Sequence, residues 1–120
     1  MKSIVLAVIS LSLLVSIVVT NSIIVSKLTD NIRKRLELAP NDTESAEIYE
    51  EIFEQYMKNQ KYIGITVSHE DLTNIEQEFN EILGAIEAKD KEALIISKSR
   101  LIGALKHLKR LAEINADSIF

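Results

Sequence analysis

Residues 3–26 carry no charge: twenty-four positions reading SIVLAVISLSLLVSIVVTNSIIVS, bounded by Lys2 and Lys27. Wound as an α-helix at about 1.5 Å per residue, the run is roughly 36 Å long and can cross a hydrocarbon core of about 30 Å with some tilt. Ile4, Leu11, Leu14, Val18 and Ile24 are representative of its fifteen Val, Ile and Leu residues. At roughly −0.3 to −0.6 kcal/mol each, these favour insertion by on the order of 6 kcal/mol before Ser, Thr and Asn21 subtract a share. The first expected partner of this chain is therefore a lipid bilayer, with residues 1–26 as the anchor.

A short basic lead before an apolar run also describes a secretory signal peptide. A signal h-region runs about 7–15 residues, and no Ala-x-Ala site follows this longer one. Thr20-Asn21-Ser22 is a poor substitute, so the run reads as an uncleaved anchor. No cysteine occurs, which excludes lipoprotein attachment and disulfides. Two rules compete over orientation. Lys27, Arg33, Lys34 and Arg35 outnumber Lys2 and pull the C-terminal part towards the cytoplasm. An extreme N-terminal span entering like a signal sequence places that part outside, and the expectation follows this second rule. Ser12, Ser16 and Thr20, at i, i+4 and i+8, share one helix face. They would let another span approach closely, or are small polar residues tolerated in any span by bonding back to the preceding turn.

Beyond the run, thirteen basic residues face eighteen acidic ones, which argues against nucleic acid as a partner. One Pro and three Gly argue against a loop-rich or β fold. The expectation is an all-α chain: a transmembrane helix, a juxtamembrane helix and linker over 27–41, and a small bundle over 42–120 built on an antiparallel hairpin. Leu28, Ile32 and Leu36 carry the first helix on to about Ala39, where Pro40 stops it. Asn41 or Asp42 can cap a second helix bearing Ala46, Tyr49, Ile52, Phe53, Tyr56 and Met57 on one face. Tyr62–Val67 (YIGITV) fits an ordered connection or a distorted helical turn.

Ser68 then opens the clearest helix, with Asp71 completing a capping box and Val67 stapled to Leu72. Leu72, Ile75, Phe79, Ile82 and Ile86 follow steps of three and four, a coiled-coil seam. Lys89-Asp90 marks a turn, with Asp90 as the next cap. Leu94, Leu101, Ala104, Leu108 and Leu111 continue the seam in the last helix. So short a turn predicts an antiparallel pair. Leu72, Ile75, Phe79, Ile82, Leu101, Leu108 and Leu111 are the expected helical core. Gly84 and Gly103, each costing about 1 kcal/mol relative to Ala inside a helix, would mark close approach of a neighbour or nothing at all. The charge is segregated: Glu70 to Glu87 contains no base, whereas Lys89 to Arg110 contains seven bases against two acids. That pattern would set register and partner choice, present a basic face to anionic headgroups, or simply solvate the outer faces.

The residues offer little chemistry. No phosphate loop, cysteine ligand or nucleophile motif occurs, so neither enzymatic activity nor a cofactor is expected. In an antiparallel hairpin His69 would approach His107 and Glu113, a weak candidate metal set. Tyr49, Phe53, Tyr56 and Phe79 read as core. Ser118-Ile119-Phe120 would fold back on the bundle or dock a partner.

The Met1-Lys2 start and single span, His69-Glu70-Asp71-Leu72 with Asn74-Ile75, Ala88-Lys89-Asp90 with Glu92-Ala93, and the Ile119-Phe120 end run over nearly the whole chain. In these the chain resembles the domain of unknown function 4363 family of small single-span bacterial membrane proteins. It departs from that pattern in lacking Trp and in having Ser118 where members have Asn. The resemblance implies Gram-positive hosts and association with a larger membrane protein; it brings no activity and no catalytic residues. The expected function is a membrane-anchored, non-enzymatic protein acting through contacts with a membrane-protein partner or a second copy. A ligand- or metal-sensing extracytoplasmic domain is the alternative. A pore is disfavoured because the lone span has no ionisable face.

Overall fold

A computed structural model describes residues 1–63 and 67–117, the side chains of Asn115 and Ala116 excepted. All the elements among them are helices: α1 (Lys2–Leu38), α2 (Ala46–Ile63), α3 (His69–Glu87) and α4 (Lys91–Asp117). Each packs on the two beside it, α1 on α2 and α4, α3 on α2 and α4, closing a four-helix ring. Cross-contacts fix every neighbour as antiparallel. Arg35 donates to Gln55 across α1–α2, Phe53 stacks on Phe79 across α2–α3, Arg100 pairs with Glu81 across α3–α4, and Ser22 meets Ala112 across α4–α1. The cross-section of 23 × 21 Å is two helices by two, and the 67 Å length comes from α1 running far past the bundle.

The fold follows from stripes of buried side chains. On α1 these are Ser22, Val25, Thr29, Ile32, Leu36 and Ala39; on α3 they are Leu72, Ile75, Phe79, Ile82 and Ile86. On α4 they are Leu94, Lys98, Leu101, Leu105, Leu108 and Ala112. All step by three and four, the spacing that keeps one face on a bundle axis. Two expectations change here. Residues 27–38 are no juxtamembrane lead but the first helix of the bundle, so the boundary at residue 42 falls inside the folded unit. Leu111 is only half-buried, and Leu105 and Ala112 take the core positions. From Leu101 the stripe steps four to Leu105, not three to Ala104, returns to the expected Leu108, and then steps four to Ala112, not three to Leu111.

The turns are built from local bonds. Ala39 is extended (φ −67°, ψ 139°), as a residue before proline prefers, and α1 ends there. Asp42 does not cap α2; its carboxylate instead accepts from the Glu44 amide and the Ser45 hydroxyl, and the helix opens at Ala46. Ser68 caps α3, accepting from the Asp71 amide, while its hydroxyl donates to the Asp71 carboxylate at 2.7 Å. Asp90 caps α4 through the Ala93 amide. Between them Lys89 sits at φ 55°, with Asp90 N–H on Ala85 O and Lys89 N–H on Ile86 O, the paired bonds of a Schellman ending. Gly84 and Gly103 have no neighbour where a Cβ would stand, so neither marks a close helix approach. Residues 64–66, the middle of the YIGITV segment, and the 118–120 tail lie outside the described residues.

The far end of the bundle is latched by one lysine. Lys98 is 6% exposed. Its Nζ donates to Ala39 O at 2.8 Å and to Asn41 Oδ1 at 2.7 Å, and lies 5.3 Å from the Tyr49 ring centroid. It thus supplies positive charge at the carbonyl end of α1, where the helix dipole is negative. Burial holds Lys98 below the ordinary lysine value and pushes the Tyr49 phenol, which donates to Pro40 O, up to about 12.

Phe79 is 1% exposed, 4.7 Å from the Phe53 ring centroid and 5.5 Å from that of Tyr56. Phe79→Ala should cost roughly 3–5 kcal/mol in detergent-solubilised protein, read as a lowered denaturation midpoint. The second prediction concerns alkaline pH. A phenol raised above its unfolded value of about 10 binds its proton longer in the folded state, so its contribution is present below pH 10 and is lost as pH climbs towards 12. Stability should therefore fall through that window by up to about 1.4 kcal/mol per pH unit for Tyr49. Tyr49→Phe should flatten the profile by that share; an unchanged slope would remove Tyr49 from it.

Candidate membrane-spanning helix and its junction with the bundle

The described residues contain one helix long and apolar enough to cross a membrane, α1, and its apolar window is unburied by the rest of the chain. Nine large apolar side chains from Ile4 to Ile17 are more than half exposed, among them Ile4, Leu11 and Leu14. At about 1–2 kcal/mol for each side chain left in water, the exposure would cost on the order of 10–15 kcal/mol. That is as large as the whole stability of a typical domain, about 5–15 kcal/mol. Val18 and Ile24, also expected in the span, are half-buried because the bundle begins beside them.

The junction is made at Asn21 and Ser22. Both are buried, at 4% and 7% exposure. The Asn21 amide donates to the backbone carbonyl of Tyr62 at the end of α2, and the Ser22 hydroxyl donates to Ala112 O of α4 at 3.0 Å. Thr29, next along the buried face, bonds back to Val25 O at 2.9 Å. Two polar side chains thus tie one helix to two others where it leaves the bundle. The free part, residues 2–20, is about 28 Å long, close to a hydrocarbon core. The clue in the sequence was the change in composition at Asn21: Asn21, Ser22, Ser26 and Thr29 fall on or beside the stripe that continues to Ile32 and Leu36. Uncharged length alone conceals it.

Ser12, Ser16 and Thr20 are all exposed. Ser16 and Thr20 help line an apolar notch of about 310 Å³ closed by Leu13, Ile17, Ile24 and Tyr62. A second, polar depression of about 270 Å³ lies between α1 and α4. There Asp30 accepts from Lys109 at 3.0 and 3.1 Å and pairs with Arg33 at 3.3 Å. Lys106, Arg110 and Glu113 complete its rim.

The metal candidates do not converge. His69 lies beside Lys58, Lys61 and Glu76 on the α2–α3 side, Glu113 lies in the α1–α4 depression, and His107 is exposed on the outer face of α4. Among the described residues no three His, Asp or Glu side chains form a group that could hold an ion. Helix α4 shows α3 and α1 its Leu94–Ala112 stripe, which turns His107 outward. Of the expected core, Leu72, Ile75, Phe79, Ile82, Leu101 and Leu108 are buried, and Leu111 is not. Comparisons with protein-family models, curated proteins and solved structures find no match to this chain. The resemblance drawn above therefore rests on its motifs alone.

Asn21→Ala would leave the Tyr62 carbonyl without this donor and should destabilise the bundle by about 1–3 kcal/mol. Ser22→Ala should cost less, about 0.5–1.5 kcal/mol, because Ala112 O sits within a helix. Thermal melts in a mild detergent check both. Equal, negligible effects would mean the junction is held by apolar packing instead.

Proposed function

We propose that this protein is a single-span membrane anchor carrying a non-enzymatic four-helix bundle that acts through protein contacts. The observation that carries the reading is the exposed apolar half of α1. It continues without a break into the bundle, so its lipid-matching surface and the folded unit form one rigid body. The bundle then stands against the bilayer on the side opposite the N-terminus, which places it outside the cytoplasm if α1 enters like a signal sequence. Its far end is acidic: residues 42–54 carry six carboxylates and no base. That face, or the small-residue face of the span, would engage a larger membrane protein or a second copy. No convergent set of nucleophile, base or metal ligands among the described residues suggests chemistry.

Full-length protein should stay in vesicles through a carbonate wash. A Leu11→Asp/Leu14→Asp variant should be released or fail to insert, since each charge near the span centre costs about 2.5–3.5 kcal/mol. Wild-type protein that washed off intact would overturn the anchor. Crosslinking in native membranes should capture a membrane protein or a homodimer through residues 42–54 or the Ser12 face. A reporter fused after residue 120 reads which side the bundle occupies.

A further inference from the structure

The bundle has two electrically different ends. Against the acidic far end, the end from which the free half of α1 departs carries Lys58 and Lys61 on α2 and Lys106, Lys109 and Arg110 on α4, with no acid inside either stretch. Heights can be read along the helices from the Ser22–Ala112 bond. At about 1.5 Å per residue, Arg110 lies roughly 3 Å above that level, Lys109 about 4.5 Å, Lys27 about 7.5 Å and Lys106 about 9 Å. On α2, Lys58 lies about 6 Å above Tyr62, whose carbonyl takes the Asn21 amide. Below this collar the surface changes character. Ile23, Tyr62 and Ile114 are exposed, at 51%, 41% and 53%, and the Lys61 ammonium lies 5.1 Å from the Tyr62 ring centroid. Glu113 and Asp117 of α4 are exposed below the collar as well, so the foot is apolar and aromatic on its α1–α2 side, at Ile23 and Tyr62; a basic collar over such a surface is the layering of a bilayer interface, acyl chains below and phosphates above.

We propose that this end of the bundle is itself a lipid-binding surface, and that the α1–α4 depression receives the phosphate of an anionic lipid. Arg33, Lys106, Lys109 and Arg110 line it against two carboxylates, and Asp30 is already shared by Arg33 and Lys109. Lys106 and Arg110, both exposed, are left to meet a ligand; Arg33, about 16.5 Å above the reference level, closes the upper end of the depression and holds Asp30 from there. Glu113 on the rim, with Glu70 and Asp71 at the start of α3, limits the attraction. The collar holds the bundle upright on the membrane instead of leaving it hanging from its span. This rests on the anchor reading, and it requires the phosphate level of the bilayer to lie between Arg110 and Lys106.

The test uses the full chain in nanodiscs of phosphatidylcholine alone or mixed with phosphatidylglycerol, read by thermal midpoint and by lipids retained in native mass spectrometry. The expected result is a higher midpoint and preferential retention of phosphatidylglycerol, both weakening as salt rises. Lys106→Gln/Arg110→Gln should abolish the increment while keeping the midpoint in phosphatidylcholine, with the preference falling roughly fivefold per cation removed. Equal midpoints in both lipids, or an increment that survives the double variant, would overturn the proposal. Inorganic phosphate reproducing the increment in phosphatidylcholine would also overturn it, and would identify a soluble-phosphate site. Carbonate extraction of the same preparations separates these outcomes from failure of the anchor, since a lost collar leaves the protein inserted.

Discussion

The unbroken helix α1 is the constraint on which the rest depends. One half is apolar on every side, and its apolar window is not buried by any of the described residues. The other half presents a single stripe, from Ser22 to Ala39, to α2 and α4. A helix apolar all round needs an apolar surround, whereas an amphipathic one needs a neighbour. The chain meets both demands along one axis, with no proline, glycine or turn between them. The apolar half and the bundle are therefore not two modules on a linker; removing residues 27–38 would take away one wall of the bundle.

The two ends of that wall are secured differently. At the near end, Asn21 and Ser22 donate to backbone carbonyls of α2 and α4. Both bonds are short-range and directional, and both are made by buried side chains. There an unpaired amide would cost more than in water, so the bonds fix rotation of α1 about its axis as well as closeness. At the far end Lys98 collects the Ala39 carbonyl, the Asn41 side chain and the Tyr49 face around one ammonium. Among the described residues no carboxylate pairs with that charge; carbonyl dipoles and an aromatic quadrupole stabilise it instead. Between these two polar points the contacts are mostly apolar, with aromatic stacking at Phe53, Tyr56 and Phe79.

Much of this was legible because the helical signals were local. The α3 seam, the Ser68 and Asp90 caps, the Pro40 stop and the antiparallel α3–α4 pair each depend on residues close in sequence. What the sequence hid was long-range. Leu105 and Ala112 displaced Ala104 and Leu111 because the phase of α4 is set by two partners, α3 and α1, not by its own strongest apolar spacing. Lys98 falls between Leu94 and Leu101 at the spacing of the seam, but nothing near it in sequence says that α1 ends against it. Asn21 was counted as a cost to insertion because its uncharged neighbours extended the apolar run. The metal candidates failed for the same reason, because helical phase turned His107 away from His69. In the membrane-facing region, uncharged length overstates the free span, and the buried stripe corrects it.

Continuity of α1 also determines how the bundle can meet anything else. With no hinge, the tilt of the span is the tilt of the bundle, and a change of about 5–10° in the lipid moves the far end sideways by about 3–5 Å over its length of roughly 30 Å. The acidic residues 42–54 lie at that far end. A partner that recognises them reads the angle of the span, and a partner that grips the Ser12–Thr20 face sets it. On the proposed lipid contact, a bilayer that draws down the Lys58–Arg110 collar would favour one orientation among those tilts. Lipid and protein contacts would then act on the same rigid-body coordinate, so a ligand at either end biases the other without any rearrangement inside the bundle. Such coupling needs differential affinity for two tilts and nothing more.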